Sequence, residues 1–87
     1  MKKLWHDIAW EQYGYWLTQD RKTVTRINKL LKDIDRNGYE GIGKPESLQG
    51  NLSGWWSVRI DHENRLVFKI ENDELVVYAC KGHYGDN

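Results

Sequence analysis

Apolar side chains recur along the chain first at helical and then at strand spacing, and the change of period divides it into elements. Val24, Ile27, Leu30, Leu31 and Ile34 follow steps of three and four, which puts them on one stripe of a helix over residues 21–36. Asp20 stands where an N-cap carboxylate would accept first-turn amides, and Asn37-Gly38 is a helix stop. Ahead of it, Ala9, Tyr13, Trp16 and Leu17 predict an earlier helix running from a cap at Asp7 to about Gln19. Trp10 extends its apolar face and Gly14 weakens it slightly. Residues 2–6, with Leu4 and Trp5, read as a short strand.

Beyond residue 54 the period becomes two. Trp56, Val58 and Ile60 fall on one side of a strand over 55–60, and Leu66, Phe68 and Ile70 on one side of a strand over 65–70. Leu75 to Cys80 is almost unbroken apolar, as an interior strand is. Asp61-His62-Glu63-Asn64 and Asn72-Asp73 are the hairpin connections. The predicted order is β-α-α-β-β-β. Three strands joined by short turns form an antiparallel meander, and two helices pack most simply together on one face of it. The expected class is therefore α+β, with the neighbour of the first strand left open.

Residues 38–54 hold five of the eight Gly and the sole Pro, Pro45, with little periodicity. This is a loop rather than a second domain, so residues 1–87 are expected to form one domain. A loop of that length in so small a chain is usually functional or mobile. Five Trp and five Tyr offset the small core of a chain this size, because each aromatic buries a large area.

Composition narrows the setting. The single Cys80 has no internal disulfide partner, which fits a reducing cytoplasm. Met1-Lys2-Lys3-Leu4-Trp5-His6-Asp7 turns charged again after two apolar residues, unlike a signal peptide. No apolar run approaches the roughly 20 residues that span a bilayer, so no membrane role is expected. Net charge is zero, which argues against generic DNA coating, but its distribution is uneven. Residues 1–37 carry eight Lys or Arg against five acids, and residues 71–87 one Lys against four acids. The basic side of the second helix is either a solvated face or a surface turned to phosphates.

If helices cover one side of the sheet, the other is free for chemistry. Alternation then turns Trp55, Ser57, Arg59 and Asp61 outward, with Arg65, Val67 and Lys69 beside them. His83 and Tyr84 follow the last strand, and Glu46 lies in the loop leading into the sheet. A carboxylate, two guanidinium groups, an imidazole and a phenol suit cleavage of RNA without a metal. The carboxylate takes the 2′-hydroxyl proton, the imidazole protonates the leaving 5′-oxygen, and guanidinium groups hold the charge on the five-coordinate phosphorus between them. Each residue also has a duller account. Glu46 is then an exposed loop charge, Arg59 and Arg65 pair with Asp61 and Glu63, His83 is a solvated tail residue, and Tyr84 closes the core edge. His6 and His62 carry no assigned role, and Cys80 is a buried strand residue rather than a nucleophile. One of Trp55 and Trp56 faces outward, where base stacking is open to it. Three widely spaced His and one Cys make no zinc pattern, and no phosphate-binding Gly-Lys loop or serine elbow is present.

These residues carry a resemblance. Tyr39-Glu40-Gly41-Ile42-Gly43-Lys44-Pro45-Glu46, Gly54-Trp55-Trp56-Ser57-Val58-Arg59-Ile60, Asn64-Arg65-Leu66-Val67 and Cys80-Lys81-Gly82-His83-Tyr84 together closely resemble the Txe/YoeB family of the RelE/ParE toxin superfamily. The likeness spans nearly the whole chain. It implies a microbial-RNase-like (RelE-like) fold, a twisted antiparallel sheet with two helices on one face. It implies a toxin that enters the 70S ribosome A site and cuts messenger RNA there, with no cofactor and no metal. Its implied partners are a YefM-type antitoxin, a second copy in a homodimer, and operator DNA only through the antitoxin complex. By position, Glu46 matches the general base, His83 the general acid and Arg65 the main phosphate stabiliser. Arg59, Lys44 and Tyr84 match groups that bind phosphate or orient the substrate, and Lys44 comes mainly from this resemblance. Three departures stand out: Gln49 where the family often has an RNA-touching Lys, Lys81-Gly82 for a usual Arg and a larger residue, and Gly85-Asp86-Asn87 beyond the Tyr. Two rival readings share the fold: a non-catalytic toxin that poisons DNA gyrase, and an RNA- or protein-binding module without turnover.

Overall fold

The structure, a computed structural model, describes residues 1–83. Strand β1 (Lys2–Trp5) leads into helices α1 (Asp7–Gln19) and α2 (Arg21–Asn37). Strands β2 (Glu46–Ser47), β3 (Trp56–Arg59), β4 (Arg65–Glu71) and β5 (Glu74–Ala79) follow. The sheet order is β1-β5-β4-β3-β2. The meander is antiparallel, as short turns require, while β1 joins β5 in parallel, with Leu4 opposite Val76 and Trp5 opposite Val77. Two helices and three further strands lie between β1 and β5, so no short turn joins the pair and none forces it to be antiparallel. The Gly-rich loop, read as unstructured, holds short 3-10 turns at Gly38–Glu40 and Gly50–Leu52 and a two-residue edge strand, β2, that pairs Glu46 with Ser57 and Ser47 with Trp56.

Helix α2 keeps the expected stripe: Val24, Ile27, Leu30, Leu31 and Ile34 are buried. The Asp20 carboxylate caps it, accepting from the amides of Lys22 at 3.1 Å and Thr23 at 3.4 Å. Gly38 ends it with φ +58°. Helix α1 departs from expectation at both its cap and its face. His6 donates its amide to the Val77 carbonyl at 2.9 Å, so the chain is still bound to the sheet there. His6 is thus the extended cap residue, without a side-chain bond, and Asp7 is already in the first turn. Its charge suits the positive end of the helix dipole. Ala9 and Trp16 are buried, but Trp10 (61% exposed) and Leu17 (44%), seven residues apart, share a stripe turned away from the core.

Both helices lie on one face. Their apolar stripes pack with Val58, Leu66, Phe68, Leu75, Val77 and Cys80 into the main core. The Trp16 indole N–H donates to the Cys80 carbonyl at 2.9 Å, fixing α1 over the end of β5. On the opposite face Leu48, Val67 and Ala79 form a small separate cluster with Leu52, Trp55 and Tyr78, which among the described residues includes none from α1 or α2. Val67 pairs with Ala79 and Phe68 with Val77, so Tyr78 is an extra residue in β5, a bulge that brings both Tyr78 and Ala79 to the open side.

An ion pair anchors the edge strand to α2. Lys3 Nζ donates to Asp35 Oδ2, and the Met1 amino group lies 3.3 Å from Asp35 Oδ1. The Lys3 hydrogen bond holds the Asp35 carboxyl below its ordinary value, against the opposing effect of burial. A carboxyl that titrates lower when folded adds stability above its unfolded pKa, and that stability is lost as pH falls through the folded value. Asp35→Asn is therefore expected to lower the urea midpoint at neutral pH and to narrow its difference from the parent as the solution becomes strongly acid. An equal deficit at both pH extremes would contradict the linkage.

No helix among the described residues is long and apolar enough to cross a membrane.

Candidate active site

The open face gathers the polar residues that alternation had turned outward. Ser57 and Arg59 of β3 stand on it opposite Val67 and Arg65 of β4. Edge strand β2 adds Glu46 to the Ser57–Val67 row. Trp55 lies on this side and Trp56 on the helix side, stacked on Tyr39 at 4.2 Å between ring centres.

Arg65 is the centre of the arrangement. Only 7% of it is exposed, unusual for a guanidinium. Its Nη1 donates to Ser57 Oγ at 3.0 Å, and its Nη2 lies 4.0 Å from Glu46 Oε1. Ser57 is itself 1% exposed, so its hydroxyl is a fixed post for the guanidinium. A planar cation held this way keeps its fork in a set direction, the geometry that matches phosphate oxygens. The alternative pairing of Arg65 with Asp61 is not adopted, because Asp61 is consumed by its own turn. Its Oδ1 accepts from the amides of Glu63 and Asn64, both at 2.8 Å.

Glu46 contrasts with Arg65. Its side chain is 72% exposed and stands at the sheet edge. The loop that delivers it is clamped in two places. The Tyr39 hydroxyl accepts from the Ile70 amide at 2.7 Å, on a stretch of β4 that β3 does not reach. At Gly41 the loop passes so close to α2 that a Cβ would meet the Asp33 carboxylate, which would have to turn aside for any larger residue. Lys44 is exposed, with φ +52° immediately before Pro45. That conformation is uncommon outside glycine and is held by the Lys44 amide donating to the Gly41 carbonyl at 3.1 Å.

Arg59 faces Arg65 across the hairpin, exposed, and its carbonyl accepts from Arg26 Nη2 at 3.3 Å. His83 is exposed and follows Gly82, whose carbonyl accepts the Arg65 amide at 2.9 Å. Tyr84 lies outside the described residues. Glu46 and Arg65 therefore meet through their side chains, and His83 is tied to Arg65 through the backbone next to it. Lys44 and Arg59 lie on segments entering the same face.

Residue-type reasoning had turned Ser57 outward without a role and had left Asn64 unassigned in a hairpin turn. Asn64 Oδ1 accepts the Gly82 amide at 2.9 Å. The outward phase that Ser57 shares with Arg65 of the next strand is the one available signal for the first; the second joins residues 18 apart and has no local signature. His6, set aside on sequence grounds, packs edge-on to Trp55 and Tyr78, each at 5.5 Å between ring centres, and Lys69 Nζ sits 4.5 Å over the Trp55 ring. Cys80 is buried, and burial pushes its thiol up to about 12, which keeps it an unreactive thiol at neutral pH. No group of three or more His, Cys, Asp or Glu suited to hold a metal occurs among the described residues.

Comparison with known proteins identifies the family of the chain. Residues 5–84 match the family model of the YoeB-like toxin of bacterial type II toxin-antitoxin systems. The chain is 48% identical over 84 residues to Toxin YoeB of Escherichia coli (strain K12), covering 97% of this chain and 100% of that protein. A YoeB-YefM complex from Staphylococcus aureus superposes with a TM-score of 0.89 at 46% identity, covering 97% of this chain and 98% of the other. A YoeB dimer from the same organism gives 0.89 at 47% identity, with the same coverage.

Proposed function

The chain belongs to the YoeB-like toxins of bacterial type II toxin–antitoxin systems, and on that premise we propose that it is an endoribonuclease cutting messenger RNA in the ribosomal A site without a metal. The observation that carries the reading is the buried Arg65 guanidinium, 4.0 Å from the exposed Glu46 carboxylate and bonded through its own backbone to the residue before His83.

The chemistry follows from what each group does. Glu46 takes the proton from a 2′-hydroxyl, which attacks the adjacent phosphorus. Arg65, posted on Ser57, and Arg59 hold the charge that grows on the phosphoryl oxygens. His83 gives a proton to the 5′-oxygen as the P–O5′ bond breaks, leaving a 2′,3′-cyclic phosphate that water opens to a 3′-phosphate. Lys44 and Tyr84 are assigned to binding and orienting the phosphate backbone. A site with so exposed a base holds free RNA poorly, and positioning by the ribosome supplies part of the barrier reduction. The basic outer side of α2, with Lys22, Lys29, Lys32 and Arg36 all exposed, supports docking against ribosomal phosphates.

The Staphylococcus aureus structures support two partners here as well: a YefM-type antitoxin that silences the toxin, and a second copy of the chain. Operator DNA enters only through the antitoxin complex, and the cytoplasm is the compartment that fits a ribosomal target.

Primer extension on a purified ribosome complex tests the reaction. Added protein is expected to create new RNA 3′ ends within the A-site codon. A single 2′-deoxy substitution at the nucleotide before the cut is expected to abolish that end, because the nucleophile is gone. Cleavage that survives the substitution would refute 2′-hydroxyl attack, and translation arrest with no new ends would favour a binding module without turnover.

A further inference from the structure

We propose that Asn64 is a positioning residue for the proton donor, clamping the chain one residue before His83 onto the phosphate-binding arginine; this rests on the reading of His83 as the general acid.

The β4–β5 ladder begins at Val67 and Ala79, so residues 80–83 have left it. Cys80 is still held by α1, its carbonyl accepting from the Trp16 indole and its amide donating to Gln12 Oε1 at 2.7 Å, and beyond it the chain is gripped again at Gly82. The Arg65 amide donates to the Gly82 carbonyl at 2.9 Å, and the Gly82 amide donates to Asn64 Oδ1 at 2.9 Å. Gly82 turns there with φ +107°, a conformation open to glycine and rare for other residues. The side-chain half of the grip is oriented from behind. Asn64 Nδ2 donates to Asp61 Oδ1 at 3.1 Å and Oδ2 at 3.3 Å. A carboxylate accepts only, so the Asn64 amide must turn its NH2 group to Asp61 and its oxygen to Gly82. Both Asp61 and Asn64 are further pinned by backbone bonds, since the Asn64 carbonyl accepts from Ile60 at 2.9 Å and Asp61 at 3.2 Å.

The consequence is geometric. Residue 64 fixes the backbone leading to the imidazole and residue 65 carries the guanidinium that meets the phosphate, so donor and phosphate share one rigid turn. A proton donor displaced by about 1 Å loses on the order of a hundredfold in rate. Without the Asn64 oxygen, the Gly82 amide loses its partner while the Arg65-to-Gly82 bond, Glu46 and the guanidinium stay. The loss should therefore fall on protonation of the leaving 5′-oxygen and not on activation of the 2′-hydroxyl.

Leaving-group chemistry separates the two. A messenger RNA with sulfur in place of the bridging 5′-oxygen at the cut expels a thiolate, which needs no proton from the enzyme. Single-turnover cleavage in ribosome complexes would be compared for oxygen and sulfur substrates, with folding of each variant checked by circular dichroism. Asn64→Ala is expected to be slowed about ten- to a hundredfold on the oxygen substrate and to recover to near the parent rate on sulfur, as His83→Ala should. Glu46→Gln should stay slow on both. Equal slowing of Asn64→Ala on both substrates would overturn the proposal and leave the general-acid reading intact. Full-rate His83→Ala on oxygen would instead overturn that reading. If Asn64→Ala fails to fold, Asn64→Asp decides by the same comparison. It is nearly isosteric but sets a second carboxylate against Asp61, disturbing the grip without emptying the site.

Discussion

His83→Ala is expected to slow A-site cleavage by about 10²- to 10⁴-fold, and Glu46→Gln by a similar factor, with the fold unchanged in both. The size follows from what general acid and base catalysis contribute when one partner is removed. The unchanged fold follows from exposure: Glu46 stands at a sheet edge with 72% of its side chain in solvent, and His83 is likewise exposed. The double variant is expected to lose less than the product of the two factors, because both protons move in one coordinated displacement. Single-turnover primer extension gives the rates, and growth on induction gives the cellular counterpart. Undiminished cleavage by either variant would remove that residue from the mechanism. Loss of cleavage together with loss of the thermal transition would mean that the residue's role is in folding instead.

Arg65→Ala is expected to have the other large effect, and to differ in kind. Removing a donor aimed at developing oxyanion charge costs about 10²- to 10³-fold in rate, and here the donor is also the hub of the site. Arg65 is 7% exposed and bonded to Ser57 Oγ, so alanine leaves a polar cavity and a buried hydroxyl with one partner fewer. An unsatisfied buried group costs about 1–3 kcal/mol, so a fall in thermal midpoint should accompany the rate loss. Lysine is not a substitute, because a point charge cannot grip Ser57 and present a fork to phosphate at once. Arg65→Lys is expected to regain part of the stability and little of the rate, which calorimetry and the cleavage assay read separately. A lysine variant with the parent rate would show that charge alone is needed at this position.

Local patterning reached far into this fold because most of its signals are short-ranged. The 24-27-30-31-34 stripe buries itself as a helix must, and the Asp20 cap is decided by its own neighbours. Alternation over 55–60 correctly turned Ser57 and Arg59 away from the helices. What escaped depends on partners distant in sequence. Two residues at Glu46–Ser47 have no periodicity of their own and become a strand only because β3 offers an edge. The β5 bulge is invisible in an apolar run, where either phase looks equally buried. Trp10 and Leu17 read as core residues because they are large and apolar, yet α1 turns the Ala9–Trp16 side to the sheet instead. For the proposed site, residue type and alternation pick out Glu46, Arg59, Arg65, His83 and Tyr84, and the family resemblance supplies Lys44. Neither pointed to Ser57 or Asn64 as the posts that orient them. Their roles are defined by a side chain 8 residues away in one case and a backbone amide 18 away in the other.

The Tyr39 clasp on β4 also makes the loop that carries Glu46 observable from a distance. The Ile70 amide donates its hydrogen bond to a phenol oxygen 2.7 Å away, where a neighbouring strand would otherwise stand. Its proton is shielded only while the loop is seated. Exchange of that one amide with heavy water therefore counts loop openings, and an antitoxin or ribosome that clamps or lifts the loop would register as a changed exchange rate at a position it never touches.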